Sequence, residues 1–460
     1  MSVASGVVNP HVYYGAASSG SGGSSLLKSI TDYNSDADET TFQAAIDDSS
    51  NSLFLIPTGT YTLSDSVNVN AAGQLFVCEP GVIIQIAASG YSDTREVDLN
   101  SKDRNSAFYV TSDRFEFYGA ADTYFDMQAD VYDGSSKYMN AFLLNGAGDC
   151  VIDRAEVRES HNGVMLYNSS GYASGNRVHR IRMTNAGTDA NFKNAAIDLH
   201  GQEDCAFSDL YADNYEEVAD FNGDCRNIHG TGIVGVNVTQ YVVEIQNSVN
   251  VEITNFSGLF TDTNGGLLQV SNYSGPTLVN ENIHCTNGSV KYDGIQHQTP
   301  SVWIEDCNNG HFEVSARMSH ASSNGEFLII GQTSNDVSTV ENVTIDLNYW
   351  QTHNTQVKSV CGWRSGNGTL RLNFRGTPTA NFGIVDLKTA NVGRVNVDLT
   401  GISVDSSGNE NQVASSIGVD VDSTATNAVG LINVNMDVAT EINNAASASN
   451  DLWTYSETAV

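Results

Sequence analysis

An apolar residue, a variable residue and a second apolar residue, set between polar or glycine positions, recur along most of this chain. The unit appears as Phe108-Tyr109-Val110, Phe142-Leu143-Leu144, Val164-Met165-Leu166, Ile197-Asp198-Leu199 and Ala219-Asp220-Phe221. It continues as Val243-Glu244-Ile245, Leu268-Gln269-Val270, Leu328-Ile329-Ile330, Val385-Asp386-Leu387 and Val419-Asp420-Val421, with Ile295 and Cys361 filling the gaps. Ile197, Ala219, Val243 and Leu268 stand 22, 24 and 25 residues apart. A second strand repeats alongside, as Ile152/Ala155, Val178/Ile181, Phe207/Leu210, Ile228/Thr231 and Ile253/Phe256. Alternation with period two marks strands. Two strands per rung, joined by Gly and Asn turns at a near-constant spacing, mark a solenoid. A sandwich or barrel also has short alternating strands, but it is not expected to hold one period over roughly 300 residues.

The expected fold is therefore all-β: a single-stranded, right-handed parallel β-helix of about twelve rungs. At roughly 4.8 Å per rung it makes a rod on the order of 60 Å long. The handedness follows the general preference of parallel crossovers, not the pattern itself. Residues 1–27 end in a Gly/Ser-rich run and read as a flexible attachment arm. Residues 28–104 read as an N-terminal helix cap with the first rungs, 105–440 as the β-helix and 441–460 as a C-terminal tail. Two polar, Tyr-rich stretches, 88–106 and 122–138, break the period and read as loops on the binding side.

The cap has its own signature. Asp38-Glu39-Thr40-Thr41-Phe42-Gln43-Ala44-Ala45-Ile46 places Phe42 and Ile46 on one helical face, with acids in the first turn to suit the helix dipole. The strand Leu53-Phe54-Leu55-Ile56, the turn Pro57-Thr58-Gly59-Thr60-Tyr61 and a strand through Val67 and Val69 follow. Over these 30 or so residues, helix, strand and P-x-G-x-Y turn, the chain resembles the N-terminal cap of the pectate-lyase-like β-helix superfamily. That group includes polysaccharide lyases, glycoside hydrolases and viral tailspikes. The resemblance implies a β-helix that meets polysaccharide. The Ca-plus-Arg arrangement of its pectate lyases has no counterpart here, since Arg364 is the only clear outward Arg, and this departure puts lyase chemistry in doubt.

Charge narrows the partners. The chain carries 54 acidic residues, 35 of them Asp, against 7 Lys and 14 Arg, for a formal net charge of −33. An Asp-rich, Lys-poor surface stays hydrated at high salt, and salt screens its self-repulsion, so a halophilic source is expected. No basic stripe exists to displace counterions, which disfavours nucleic acid. No apolar run is long enough to span a membrane. Met1 to Pro10 shows no export signal. The seven cysteines, from Cys78 to Cys361, form no CxxC pair and read as buried small hydrophobes. Asp149-Cys150, Asp204-Cys205, Asp224-Cys225 and Asp306-Cys307 read as a turn Asp before a core Cys. His179, His229 and His311 read as isolated.

The middle residue of each unit faces outward, and parallel stacking turns these residues into a ladder: Tyr109, Leu143, Met165, Asp198, Asp220, Glu244, Gln269, Gln296. A second outward column holds Asn145, Tyr167, His200, Asn222, Gln246 and Ser271. Asp198, Asp220 and Glu244 are the candidate catalytic residues, stacked about 5 Å apart. Glycosidases work with carboxyl pairs at about this spacing or somewhat wider, and like charges so close push one pKa upward. His200, Tyr167, Asn222, Gln246 and Gln269 are the candidate ligand contacts. Two other readings stay open: a solvated acidic face on an acid-rich chain, with Asp386 and Asp420 lacking close acidic neighbours, and a cation bridging the stacked carboxylates. No metal or other cofactor is expected.

The resulting expectation is a virion surface protein, such as a tail spike, fibre or turret of a virus of halophilic archaea. It would recognise host surface polysaccharide or S-layer glycoprotein. It would bind other virion proteins through its N-terminal arm and assemble as a homo-oligomer, with a trimer favoured. Its place would be the virion exterior. A polysaccharide-degrading enzyme and a purely structural decoration are the alternatives.

Overall fold

The computed structural model describes residues 27–455 except 49, 51, 90, 92–96, 100–101, 129–136, 185–193, 264, 273–279, 296–299, 320–324, 332–339, 352–355, 358, 379–381, 389–390, 406, 408, 411–412 and 446–451. Residues 1–26 of the expected attachment arm thus lie outside the described residues. The chain coils as a parallel β-helix, and two stacks of strands run along it. In one, short strands follow each other rung by rung from Val67–Val69 to Val438–Asn444, fourteen in a single path among the described residues. In the other, long strands such as Arg226–Val236, Val249–Phe260 and Glu281–Tyr292 pair in parallel.

The helix cap forms as its sequence dictates. Helix α1, Glu39–Ile46, starts at Asp38, whose carboxylate accepts the Thr40 N–H at 2.9 Å. It buries Phe42, Ala45 and Ile46. Phe42 meets Phe76 and Phe108 at ring separations of 6.2 and 5.5 Å, and so closes the end of the core. Inside, like stacks on like: Phe54 on Phe76 at 5.2 Å, and Phe108 on Phe142 at 5.5 Å.

Turns repeat as strictly as strands. Asn227, Asn250, Asn282 and Asn309 all adopt positive φ, a conformation Asn tolerates better than other side-chain-bearing residues. Each passes an amide hydrogen bond to its neighbour: Asn250 to Asn227 at 2.9 Å, Asn282 to Asn250 at 2.8 Å and Asn309 to Asn282 at 2.5 Å. Asp149, Asp204 and Asp224 also sit at positive φ, each before a buried cysteine. They are turn residues, and all seven cysteines are buried and outside any disulfide.

Three expectations need correction. Phe207 aligns with Gly230, not Ile228, and Leu210 with Ile233, not Thr231. The reason is steric: a Cβ on Gly230 would lie 2.3 Å from the Phe207 ring, so the glycine makes room for the phenyl. Ile295 does not carry the next rung; Val302-Trp303-Ile304 does, pairing with Leu268-Gln269-Val270. The 88–106 and 122–138 stretches are partly strand. Arg104, Asn105 and Ser106 pair with Tyr138, Met139 and Asn140. Their polar side chains are buried against one another, which erases the apolar pattern a strand normally shows.

Candidate functional site

The register places the acidic residues as their spacing predicts. Met165 pairs with Asp198, Asp198 with Asp220, Asp220 with Glu244 and Glu244 with Gln269. The next ladder position is Trp303, not Gln296, which lies outside the described residues. Leu143 and Met165, two rungs and one rung before Asp198, are fully buried and make a small apolar cluster with Tyr109 and Tyr167. The acids therefore begin where this apolar patch ends. Their exposure rises along the column, from 1% at Asp198 through 4% at Asp220 to 7% at Glu244, so the Glu244 end is the more open.

The second outward column supplies a partner to each acid, two residues on in the same strand. His200 Nε2 lies 2.9 Å from Asp198 Oδ1. Asn222 donates to Asp220 at 3.4 Å, and Gln246 donates to Glu244. Gln269 instead donates to the Ser271 hydroxyl at 2.9 Å. Tyr167 stands edge-on to the His200 ring at 5.8 Å. His200, Asn222 and Gln246 thus hold the carboxylates in place.

Asp198 receives further amide donors from Asn162 and Asn194, each at 3.3 Å. Burial pushes its pKa up, but His200, Arg104 and Asn162 outweigh burial, and the net shift is downward. Asp220 goes the other way: burial, then the charges of Asp198 and Glu244, push its carboxyl well above the usual range. Neighbouring rungs thus shift their carboxyls in opposite directions, Asp198 towards the ionised form and Asp220 towards the protonated one. An acid-base pair at work has this property.

Two members of the site escaped the sequence. Glu217 is 97% buried, and burial with the Asp220 and Glu244 charges pushes its pKa well up. Glu217, Asp220 and Glu244 each offer an oxygen within 4.8 Å of the others. Such oxygens suit a hard cation, but the upward shifts of Glu217 and Asp220 and the nearby Arg104 guanidinium favour it less. Beside them, burial raises Glu216 to about 7. The other missed member is Arg104, buried with its guanidinium 4.4 Å from the Tyr138 ring. Its charge acts on both Asp198 and Asp220. Arg364, read as the one outward Arg, is committed elsewhere, to Glu326.

Further along the ladder the acids are also in company. Asp386 pairs directly with Asp420, contrary to the expectation that they stand apart. Lys388 bridges Asp386 at 3.1 Å and Glu326 at 2.5 Å. Gly362, the ladder residue between Ile329 and Asp386, has no side chain because a Cβ there would fall 2.4 Å from Glu326. Lys388 and Arg364 thus offset two of this cluster's three acids. His311 is not isolated either: it lies 3.2 Å from Asp346, which Arg371 also contacts at 3.0 Å.

No protein-family model matches the sequence, and no curated protein matches it. Among solved structures, the tailspike protein of E. coli bacteriophage HK620, as a double mutant in complex with a pentasaccharide, is similar at a TM-score of 0.61 and 12% identity. The match covers 94% of this chain and 78% of that one. Another mutant of the same tailspike, with a hexasaccharide, gives 0.60 at 11% identity over the same shares. The Agl-KA catalytic domain gives 0.52 at 13% identity, covering 94% of this chain and 69% of that one. These likenesses establish the fold, the parallel β-helix that the cap's resemblance implies. No described helix is long and apolar enough to cross a membrane.

Proposed function

We propose that this chain is a glycan-recognising protein of a virion exterior, a tail spike, fibre or turret of a virus of halophilic archaea, and that its acidic column cleaves the glycan it binds. One observation carries the second half: a low-pKa Asp198 and a high-pKa Asp220 on adjacent rungs, with Glu244 on the next. Asp220 is the acid that protonates the glycosidic oxygen. Glu244, the most open of the three, is the nucleophile. Asp198, saturated by His200, Asn162 and Asn194, stays charged, keeps the proton on Asp220 and stabilises the developing positive charge on the sugar. One-rung spacing, about 5 Å, fits retention of anomeric configuration.

The virion assignment is supported by the rod-like fold shared with a phage tailspike whose complexes hold oligosaccharides. The net charge of −33 supports the salty setting. A homotrimer attached through residues 1–27 completes the reading.

The test is incubation with host surface polysaccharide in multimolar salt, following product size and new reducing ends. Asp220→Asn and Asp198→Asn are expected to lower cleavage by about 10²–10⁴-fold while binding persists. Binding without cleavage in the wild type leaves an adhesin. Neither binding nor cleavage leaves a structural decoration and removes the site.

A further inference from the structure

The long-strand stack carries a second column with the opposite charge. Residues paired in register along it are Leu259, Lys291, Arg317, Trp350, Arg375 and Ile402, one per rung. Three of the chain's 21 basic residues therefore fall on three of four successive rungs, in a protein with 54 acids. The fourth rung is an indole left 51% exposed. The guanidinium of Arg317 lies 5.6 Å from its ring on one side, and that of Arg375 lies 5.9 Å away on the other. The sandwich holds both cations upright, at little further entropic cost to a ligand.

Beside this wall runs a groove of about 370 Å³. Its floor comes from the neighbouring outward column, in which Ser289, Ser315 and Asn348 pair in register. These are short hydroxyl and amide groups, and their small size keeps the space beside the taller Lys291, Arg317 and Trp350 side chains open. Lys291 is held by Asp293 at 2.5 Å and Arg375 by Glu410 at 2.9 Å. Among the described residues, Arg317 faces Trp350 and makes no ion pair, so a charge at the centre of the column is left for a partner.

We propose that this groove binds an anionic stretch of glycan, a run of sugars bearing carboxylate or sulfate groups. The polymer would lie along the rod, its hydroxyls on Ser289, Ser315 and Asn348 and its acidic groups on Arg317. Arg suits both anions because its fork can donate two parallel hydrogen bonds. Lys291 to Arg375 spans three rung intervals, roughly 14 Å, enough for more than one sugar. The acidic ladder repels such sugars, so the two columns sort one heteropolymer by charge. The groove does not depend on the cleavage assigned to the acidic ladder.

The test uses three oligosaccharide probes of equal length: oligogalacturonate for carboxylate, dextran sulfate for sulfate and neutral dextran. Affinity is read from Trp fluorescence and checked by calorimetry, in salt as low as the fold tolerates. The expectation is that one or both anionic probes bind and neutral dextran does not, with affinity falling as salt rises. Arg317→Gln weakens binding by tenfold or more, Trp350→Phe abolishes the fluorescence change, and the Asp198→Asn, Asp220→Asn double variant binds like the wild type. Which anionic probe binds tells carboxylate from sulfate. Equal binding of neutral dextran, or unchanged affinity in both Arg317→Gln and Arg375→Gln, overturns the proposal. So does a change in sedimentation in these variants with no anionic probe bound, which would make the column a contact between copies of this chain. Unfolding curves of each variant guard against misfolding, which the exposure of these side chains makes a small risk.

Discussion

Replacing Glu217 with glutamine tests the electrostatics of the acidic site. Glu217, Asp220 and Glu244 have oxygens no more than 4.8 Å apart. Two unit charges at that distance repel by about 3.5 kcal/mol at an effective dielectric constant of 20. Ionising all three creates three such pairs, and placing a proton on one removes two of them, about 7 kcal/mol. Holding that proton at pH 8 against an unfolded-state pKa near 4.3 costs about 5 kcal/mol. Protonation therefore wins. An acid with a raised folded-state pKa lends stability that is complete below its unfolded pKa and is lost as pH rises towards the folded one. The wild type should thus lose stability from about pH 4.5 upward, and Glu217→Gln should lose less. If Glu217 carries the proton, the variant gains up to about 5 kcal/mol by pH 8 relative to acid pH; if Asp220 carries it, the gain is about 3.5. With an unfolding entropy of roughly 2.1 cal/mol/K per residue, a chain of 460 residues converts this into a Tm shift of about 3–5 °C. Calorimetric melts of both proteins at pH 4.5 and pH 8 give the answer. An equal loss of stability at both pH values would refute the reasoning and mean that something else, such as a bound cation, neutralises the carboxylates.

Gly230→Ala should cost about 1–3 kcal/mol in denaturant unfolding, because its Cβ would meet the Phe207 ring at 2.3 Å, and Phe207→Leu should recover part of it. In the asparagine ladder, Asn250→Ala loses two amide bonds and puts at positive φ a residue that tolerates it less well than Asn; it should cost about 2 kcal/mol, with Asn250→Gly milder by roughly 1. Equal losses would mean that backbone strain plays no part. For a net charge of −33, Tm should keep rising with KCl into the molar range, where the Debye length falls to about 3 Å; a plateau at low salt would argue against a halophilic protein.

The ladder could be read from sequence because parallel stacking converts spacing directly into adjacency. Asp198, Asp220 and Glu244 needed only the apolar residues flanking each of them. Where that flanking code is absent or ambiguous, spacing alone does not give the register. Trp303 is itself apolar at an outward position, and its rung starts 34 residues after Leu268, well beyond the usual spacing, so Ile295 looked the better candidate. Glu217 precedes its strand, where the chain bends: both Glu217 and Val218 are buried, so alternation no longer says which way a side chain points. Arg104 lies in a strand whose buried face is polar and whose rung partner is Tyr138, which no hydrophobic pattern reveals. The basic column was hidden for a different reason. Lys291, Arg317, Trp350 and Arg375 are spaced by rungs of 26, 33 and 25 residues, and only the register of the long strands brings them together.

The central claim is that glycan lies over the acidic column. The most direct measurement is a crystal structure of the Asp220→Asn variant with oligosaccharide released from a host surface, grown in high salt. The account predicts a sugar ring across Asp198, residue 220 and Glu244, with the glycosidic oxygen beside the residue 220 amide. Saccharide bound only elsewhere on the rod, with the acidic column covered by protein or holding a cation, would contradict it.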